Sequence, residues 1–219
     1  MAEQRGIRVL GVVDHSTARN AQAVEEAAPA FGVRVLVGLE VESAEGVHIL
    51  TLFDSAEAAL EMDAMVAQHL PSLPNRPQFF GEQHLLDAWG NRLGEEPRLL
   101  TAATDLGLED IADLAVGGGG LSIPAHIDRR GYGLLPTLGF VPPGLRVDLL
   151  EVSPHMTRSE ARETWPELRA RALISGSDAH FLTDIGCAST WVSRDVAEAE
   201  LSPTAWGREL AGELLSRGE

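Results

Sequence analysis

Short runs of β-branched and leucine residues alternate along the chain with longer stretches in which apolar side chains recur every three or four positions. Residues 7–13, 33–41, 47–53, 121–125, 147–152, 173–175 and 190–192 predict strands. Residues 18–30, 56–70, 108–116, 159–170 and 204–216 predict helices. Alternation of this kind predicts an α/β fold with a largely parallel sheet or barrel.

Helix starts sharpen the phase. Asp54 stands three residues before Glu57, and Thr157 three before Glu160, each an N-cap ahead of a carboxylate at the third helical position. Pro203 after Ser202 marks a further start. Residues 71–101 break the pattern with Pro and Gly, and Trp89-Gly90-Asn91 reads as a turn, so this segment predicts an insertion bearing a hairpin. The glycine run at 117–120 reads as a flexible link between a helix and a strand.

Size and composition set bounds. With 219 residues and 44% hydrophobic content, residues 1–219 read as one domain. There are 33 acidic residues against 17 basic ones, and a net charge of -16 predicts repulsion of a polyphosphate backbone. Duplex nucleic acid is therefore not an expected partner. A small anionic substrate is compatible with that charge, because bound metal ions reverse the field within a pocket. The basic residues are all Arg, and the absence of Lys excludes Schiff-base chemistry and a P-loop lysine. Cys187 stands alone, no signal-peptide pattern precedes Ile7, and no apolar stretch approaches the length of a membrane helix, so a cytoplasmic location without membrane contact is expected. A lone Cys not flanked by His is expected to be a small buried residue.

Polar groups with chemical potential recur at the ends of the predicted strands. Asp14 and His15 end the first, Glu40 closes the second, His48 opens the third, His126 follows the fourth, and Asp178 and His180 follow residues 174–176. Taken singly, Asp14 also reads as a helix cap, Glu40 as a solvated strand end and each His as a hydrogen-bonded residue. As a set at one rim, imidazoles and carboxylates form ligands suited to zinc, manganese or iron. His69 reads as a cation near a helix end, and His84 and His155 as residues outside the ligand set. Arg129, three residues beyond His126, reads either as a phosphate-binding fork or as a surface partner of Asp128.

The segments Gly6-Ile7-Arg8-Val9-Leu10-Gly11-Val12-Val13-Asp14-His15-Ser16, Gly38-Leu39-Glu40-Val41, Val47-His48-Ile49-Leu50, Ile123-Pro124-Ala125-His126 and Gly176-Ser177-Asp178-Ala179-His180 together resemble the PHP (polymerase and histidinol phosphatase) family, in order and across almost the whole chain. The resemblance implies a distorted seven-stranded β/α barrel with up to three metal ions in its mouth. It implies that Glu40 bridges two ions, that His48 and His126 complete one of them, that Asp178 serves the other, and that His15 and His180 hold a third. Asp14 would orient His15, so Asp14 and Asp178 are the acidic groups expected to assist the chemistry. A metal-activated water would then hydrolyse a small phosphate ester.

One departure stands out. Family members ordinarily open with a strand bearing Asp-Leu-His-x-His-Ser, and no His precedes His15 here. The expectation is a barrel missing its first strand, with one good metal position, two weak ones, weak phosphatase activity and self-association along an exposed edge. Truncation and a genuine variant both fit. Two other functions compete with the phosphoesterase: a metal- or ligand-binding module without turnover, and a metal-dependent amide or ester hydrolase.

Overall fold

The apolar runs become eight strands: β1 (Val9–His15), β2 (Arg34–Glu42), β3 (His48–Phe53), β4 (His84–Leu86), β5 (Arg92–Glu95), β6 (Leu121–Pro124), β7 (Leu149–Val152) and β8 (Ala172–Ser175). Between them lie α1 (Ala21–Ala27), α2 (Ala56–Val66), α3 (Pro77–Phe80), α4 (Leu108–Gly117), α5 (Leu134–Leu138), α6 (Arg158–Thr164), α7 (Arg194–Ala197) and α8 (Pro203–Ser216). This computed structural model describes residues 1–217.

The main sheet has the order β1-β2-β3-β6, and β7 pairs with β8 in a second sheet. A hydrogen bond of 2.8 Å from Ile127 N to Glu151 O joins the segment after β6 to β7. Among the described residues the strands do not close into a barrel. Nor is the sheet largely parallel. β1 and β2 are parallel, as are β7 and β8, but β3 runs antiparallel to both β2 and β6. Only Ser43 to Val47 separate β2 from β3, a connection that allows a hairpin and is far too short for a parallel crossover.

Strand alternation divides each sheet between two cores. Val37, Leu39, Val41 and Ile49 face α2 and α4 through Ala59, Met62, Ile111 and Ala115. The opposite parity, Leu36, Leu52, Leu121, Ile123 and Leu149, packs on Trp206, Leu210 and Leu214 of α8. Glu40 shares the parity of Leu36, and His48 that of Leu52. Because β3 is antiparallel to β2, the end of one strand and the start of the other share a rim. One sheet face is thus apolar beneath α8 and polar beyond it.

Several expectations are corrected. Residues 190–192 form no strand; instead Thr190 Oγ1 accepts from Ser175 N at 2.7 Å and ends the ladder of β8. The helix expected over 159–170 breaks at Trp165, whose extended backbone (φ -125°, ψ 92°) is what a following Pro166 demands. The first helix is shorter than 18–30, since Ala28–Phe31 tightens into a 3-10 turn containing Pro29. Ser55, not Asp54, caps α2, accepting from Ala58 N. The pair Thr157 and Glu160 does form a reciprocal capping box, and Ser202 caps α8. The glycines before β6 are more than a link, because a Cβ on Gly120 would meet the Phe53 ring at 2.5 Å.

Residues 71–101 carry the β4–β5 hairpin, pinned to the end of β1 by Asn20. Its Nδ2 donates to Asp14 Oδ2 at 3.0 Å and to His84 O at 3.1 Å, while its Oδ1 accepts from Leu86 N at 2.9 Å. Glu96 is buried and accepts from Arg19 Nη1 at 2.9 Å and Arg98 Nε at 2.8 Å. Those guanidinium contacts outweigh desolvation and hold its carboxyl down to about 2.

Gly38 lets β2 lie against β3, since a Cβ there would stand 1.7 Å from Thr51 O. Backbone cannot yield as a side chain would. Gly38→Ala should therefore lower stability by about 3 kcal/mol or more, shifting the thermal midpoint by roughly 6–12 °C. A melt within about 2 °C of the parent would show that the strands can move apart freely.

Candidate metal centre

Three imidazoles converge on the Glu40 carboxylate. His48 Nδ1 lies 2.9 Å from Glu40 Oε1, His126 Nε2 lies 3.3 Å from the same oxygen, and His15 Nδ1 lies 3.6 Å from Oε2. Each arrives from a different element: the end of β1, the end of β2, the start of β3 and the turn after β6. Glu40, His48 and His126 are buried, while His15 is partly exposed. His15, Glu40 and His48 can each offer one ligand atom with all three atoms within 4.8 Å of one another.

A cavity of about 140 Å³ opens over His15, Glu40 and His48, lined also by Glu42, Arg129, Tyr132, Asp178 and His180. Asp178 and His180 therefore face the same space. Asp178 has left-handed backbone at φ 45° and accepts from Arg129 Nη1 at 2.8 Å. Arg129 thus pairs across the cavity and not with Asp128, which accepts from Ser153 N and Oγ at 2.7 and 2.6 Å. His180 is exposed, with Nδ1 3.7 Å from Asp178 Oδ1. Asp14 stands on the opposite strand parity from His15 and takes its hydrogen bond from Asn20.

The other expectations resolve simply. His69 pairs with Asp105 at 2.6 Å beyond the end of α2, and His84 lies in the hairpin 3.0 Å from Glu82. His155 is exposed. Cys187 is also exposed, contrary to the buried position expected, because its loop follows β8 across the surface.

Backbone strain concentrates here. Among the described residues, the non-glycine positions with positive φ are Ser16, His126, Tyr132 and Asp178, and all four lie at this centre. Such conformations cost about 1–3 kcal/mol each and persist where the surroundings impose them.

Electrostatics follow from burial and mutual contact. Desolvation alone would raise the Glu40 carboxyl, yet hydrogen bonds from His126 and His48, with the nearby charges of His48 and His15, hold it well below the carboxylate range. His15 is lowered, first by burial and then by His48 and His180, against the pull of Glu40 and Asp178. Glu151 behaves oppositely, pushed up to about 7 by burial despite the opposing influence of His126. Its carboxylate sits where a Cβ on Gly176 would come within 2.2 Å, so only glycine leaves it room.

Sequence reasoning missed Glu151 and Tyr132. Glu151 was detectable, since it stands two residues after the buried Leu149 on the same strand parity and so shares the phase of Glu40. Tyr132 lies in a loop and gave no such signal.

The donor set fits a divalent metal on its chemistry. Borderline nitrogen ligands gather around one buried, ionised carboxylate. His126 Nδ1 is a buried nitrogen with no hydrogen-bond partner, so nothing in the protein competes for the ring's second nitrogen.

Comparisons with known proteins bear on the fold and on one segment of the chain. A family model described as PHP-associated matches residues 164–202, the stretch that contains Asp178 and His180. No curated protein matches the chain. Among solved structures, Endonuclease Q from Pyrococcus furiosus shares the fold at 19% identity and a TM-score of 0.57, over 82% of this chain. The chain spans 42% of that protein's length. A second Endonuclease Q structure, with a 27-mer duplex carrying an abasic lesion at the active site, has 18% identity and a TM-score of 0.58 over the same shares. A proposed metal-dependent phosphoesterase from Bifidobacterium adolescentis is similar at 16% identity and a TM-score of 0.54, covering 100% of this chain and 88% of its own. The chain carries a PHP-associated segment on a mixed α/β fold, and these findings support the PHP-family likeness of its motifs.

One expectation is overturned. Duplex nucleic acid was not expected as a partner on net charge, yet Endonuclease Q, which shares the fold over 82% of this chain, takes a 27-mer duplex with an abasic lesion at its active site. Total charge averages over the surface and does not set the potential at one cleft. No helix among the described residues is long and apolar enough to cross a membrane.

The raised Glu151 carboxyl has a measurable consequence. Its ordinary value is 4.5 and its folded value about 7, so the folded protein keeps this proton while the unfolded chain has lost it. The metal-free protein should be most stable on this account below pH 4.5 and lose stability as pH rises toward 7, by up to a few kcal/mol. Denaturant unfolding of the parent and of Glu151→Gln across this range should show that decline shallower in the variant; parallel curves would mean that Glu151 ionises normally.

Proposed function

We propose that this chain is a metal-dependent phosphoesterase that hydrolyses a phosphate ester through a metal-activated water. The observation that carries the reading is the convergence of His15, His48 and His126 on the buried carboxylate of Glu40. Glu40, His48 and His126 would hold one ion, with Asp178, His15 and His180 serving further positions at the cavity wall. In this reading the two main sheets, β1-β2-β3-β6 and β7-β8, are an open and distorted form of a PHP-type β/α barrel. When bound, divalent ions supply Lewis acidity toward phosphoryl oxygens and lower the pKa of water toward neutrality.

The protein's own groups perform the remaining tasks. Arg129 presents a planar, permanently charged fork into the cavity, suited to two phosphoryl oxygens. Its present partner, Asp178, is freed when Arg129 turns to an anionic substrate. Glu40 stays ionised across the working range and keeps the imidazoles aimed at one place. Zinc, manganese and iron all suit this mixed nitrogen and oxygen set.

The test is a substrate screen with added manganese or zinc: phosphate monoesters, diesters, amides and a duplex with an abasic site. A phosphate ester should turn over, and Glu40→Gln and His48→Ala should each lower kcat/KM by at least about a hundredfold. Turnover of amides alone, or phosphate-ester hydrolysis untouched by Glu40→Gln, would reject the assignment.

A further inference from the structure

The His48 ring has an unusual neighbour. Tyr132 lies flat against it, with ring centroids 4.3 Å apart and planes 11° from parallel. The backbone of the same residue accepts from His48 N at 2.9 Å. Side chain and main chain of one residue thus grip both parts of another.

We infer that Tyr132 is the positioning residue of His48, its ring fixing the imidazole plane so that the nitrogens are presented in one orientation for a divalent cation. This rests on the metal reading above and concerns how the ligand is held.

Why His48 needs holding follows from its torsions. The second side-chain torsion of histidine is broad and roughly two-fold, so the backbone does not set the ring plane. Carboxylates stand at both ends of the ring, with Glu40 2.9 Å from Nδ1 and Glu42 3.9 Å from Nε2, and both act at its edges. His15 and His126 meet it edgewise or tilted, at centroid distances of 5.4 and 5.3 Å. Tyr132 alone among these neighbours is stacked on it with nearly parallel planes. Offset contact between flat faces resists rotation out of that plane.

The loop that carries Tyr132 is built for this placement. Tyr132 has φ 64°, a costly conformation for an aromatic residue. Gly133 follows because a Cβ there would meet Arg129 O at 2.1 Å and His126 O at 2.9 Å. Asp128 fastens the loop to Ser153, and Leu135 N donates to Ile127 O at 2.9 Å. Some 43% of Tyr132 remains exposed, so burial of the ring does not explain the strain. One constrained turn therefore delivers His126, Arg129 and the plate behind His48 together.

The experiment is calorimetric titration of the full, metal-stripped chain with manganese or zinc, read as affinity and stoichiometry without any substrate. Tyr132→Phe keeps the flat face and should bind within about threefold of the parent. Tyr132→Asn keeps a residue tolerant of positive φ but removes the ring, and should weaken the position served by His48 on the order of tenfold. Tyr132→Leu, bulky but not planar, should weaken it similarly and serves if the Asn variant is unstable. In a His48→Ala background neither loss should recur. Unchanged affinity in both ring-less variants overturns the inference, as does an equal loss in Tyr132→Phe or in the His48→Ala background. A parent that binds no divalent ion would instead defeat the metal reading and this inference with it.

Discussion

Everything at this centre depends on one buried negative charge. Glu40 lies within the sheet, where an unpartnered carboxylate would be protonated or would cost several kcal/mol. Its three imidazole neighbours remove that penalty, and in doing so they fix how β1, β2, β3 and the turn after β6 meet. The register Glu40 opposite Leu50, and Glu42 opposite His48, places the two site residues diagonally across one antiparallel pair. Gly38 permits that pair to approach. A shift of one residue would turn Glu40 into the apolar layer beneath α2.

The second constraint is conformational. Ser16, His126, Tyr132 and Asp178 leave their strands or turns through left-handed backbone, so each side chain is aimed by local geometry that the sequence disfavours. The compensation is visible in the surrounding bonds: Ser16 N to Glu40 O at 2.9 Å, Asp128 to Ser153, Arg129 to Asp178. Glu151 shows the same economy, as Gly176 yields the space that its buried carboxyl occupies.

Much of this was legible before any coordinates. Six of the seven predicted strands exist because Val, Ile and Leu run in short blocks bounded by turn residues, and Thr157 with Glu160 marked a helix start unambiguously. The direction of β3 was missed because alternating elements suggested crossovers, although the five residues from Ser43 to Val47 already ruled one out. His15, Glu40, His48 and His126 were found through their positions at strand ends. Thr190 mimicked a strand because its β-branched side chain serves as a hydrogen-bonding plug at the end of β8. Tyr132 and the Arg129–Asp178 pair were invisible, since loop conformation decides which residues meet across a cavity, and no periodicity records it.

The sheet face shared by α8 and the site has a wider consequence. Leu36 of β2 and Leu52 of β3 pack on α8 toward one end of the strands that carry Glu40 and His48 toward the other. Helix α8 and the ligand-bearing rim are thus joined through continuous, hydrogen-bonded β-structure. If ligand binding favours the docked helix by some factor, docking of α8 favours ligand binding by that same factor. Occupancy of the cavity would then be readable far from it, as slower amide exchange along Trp206, Leu210 and Leu214.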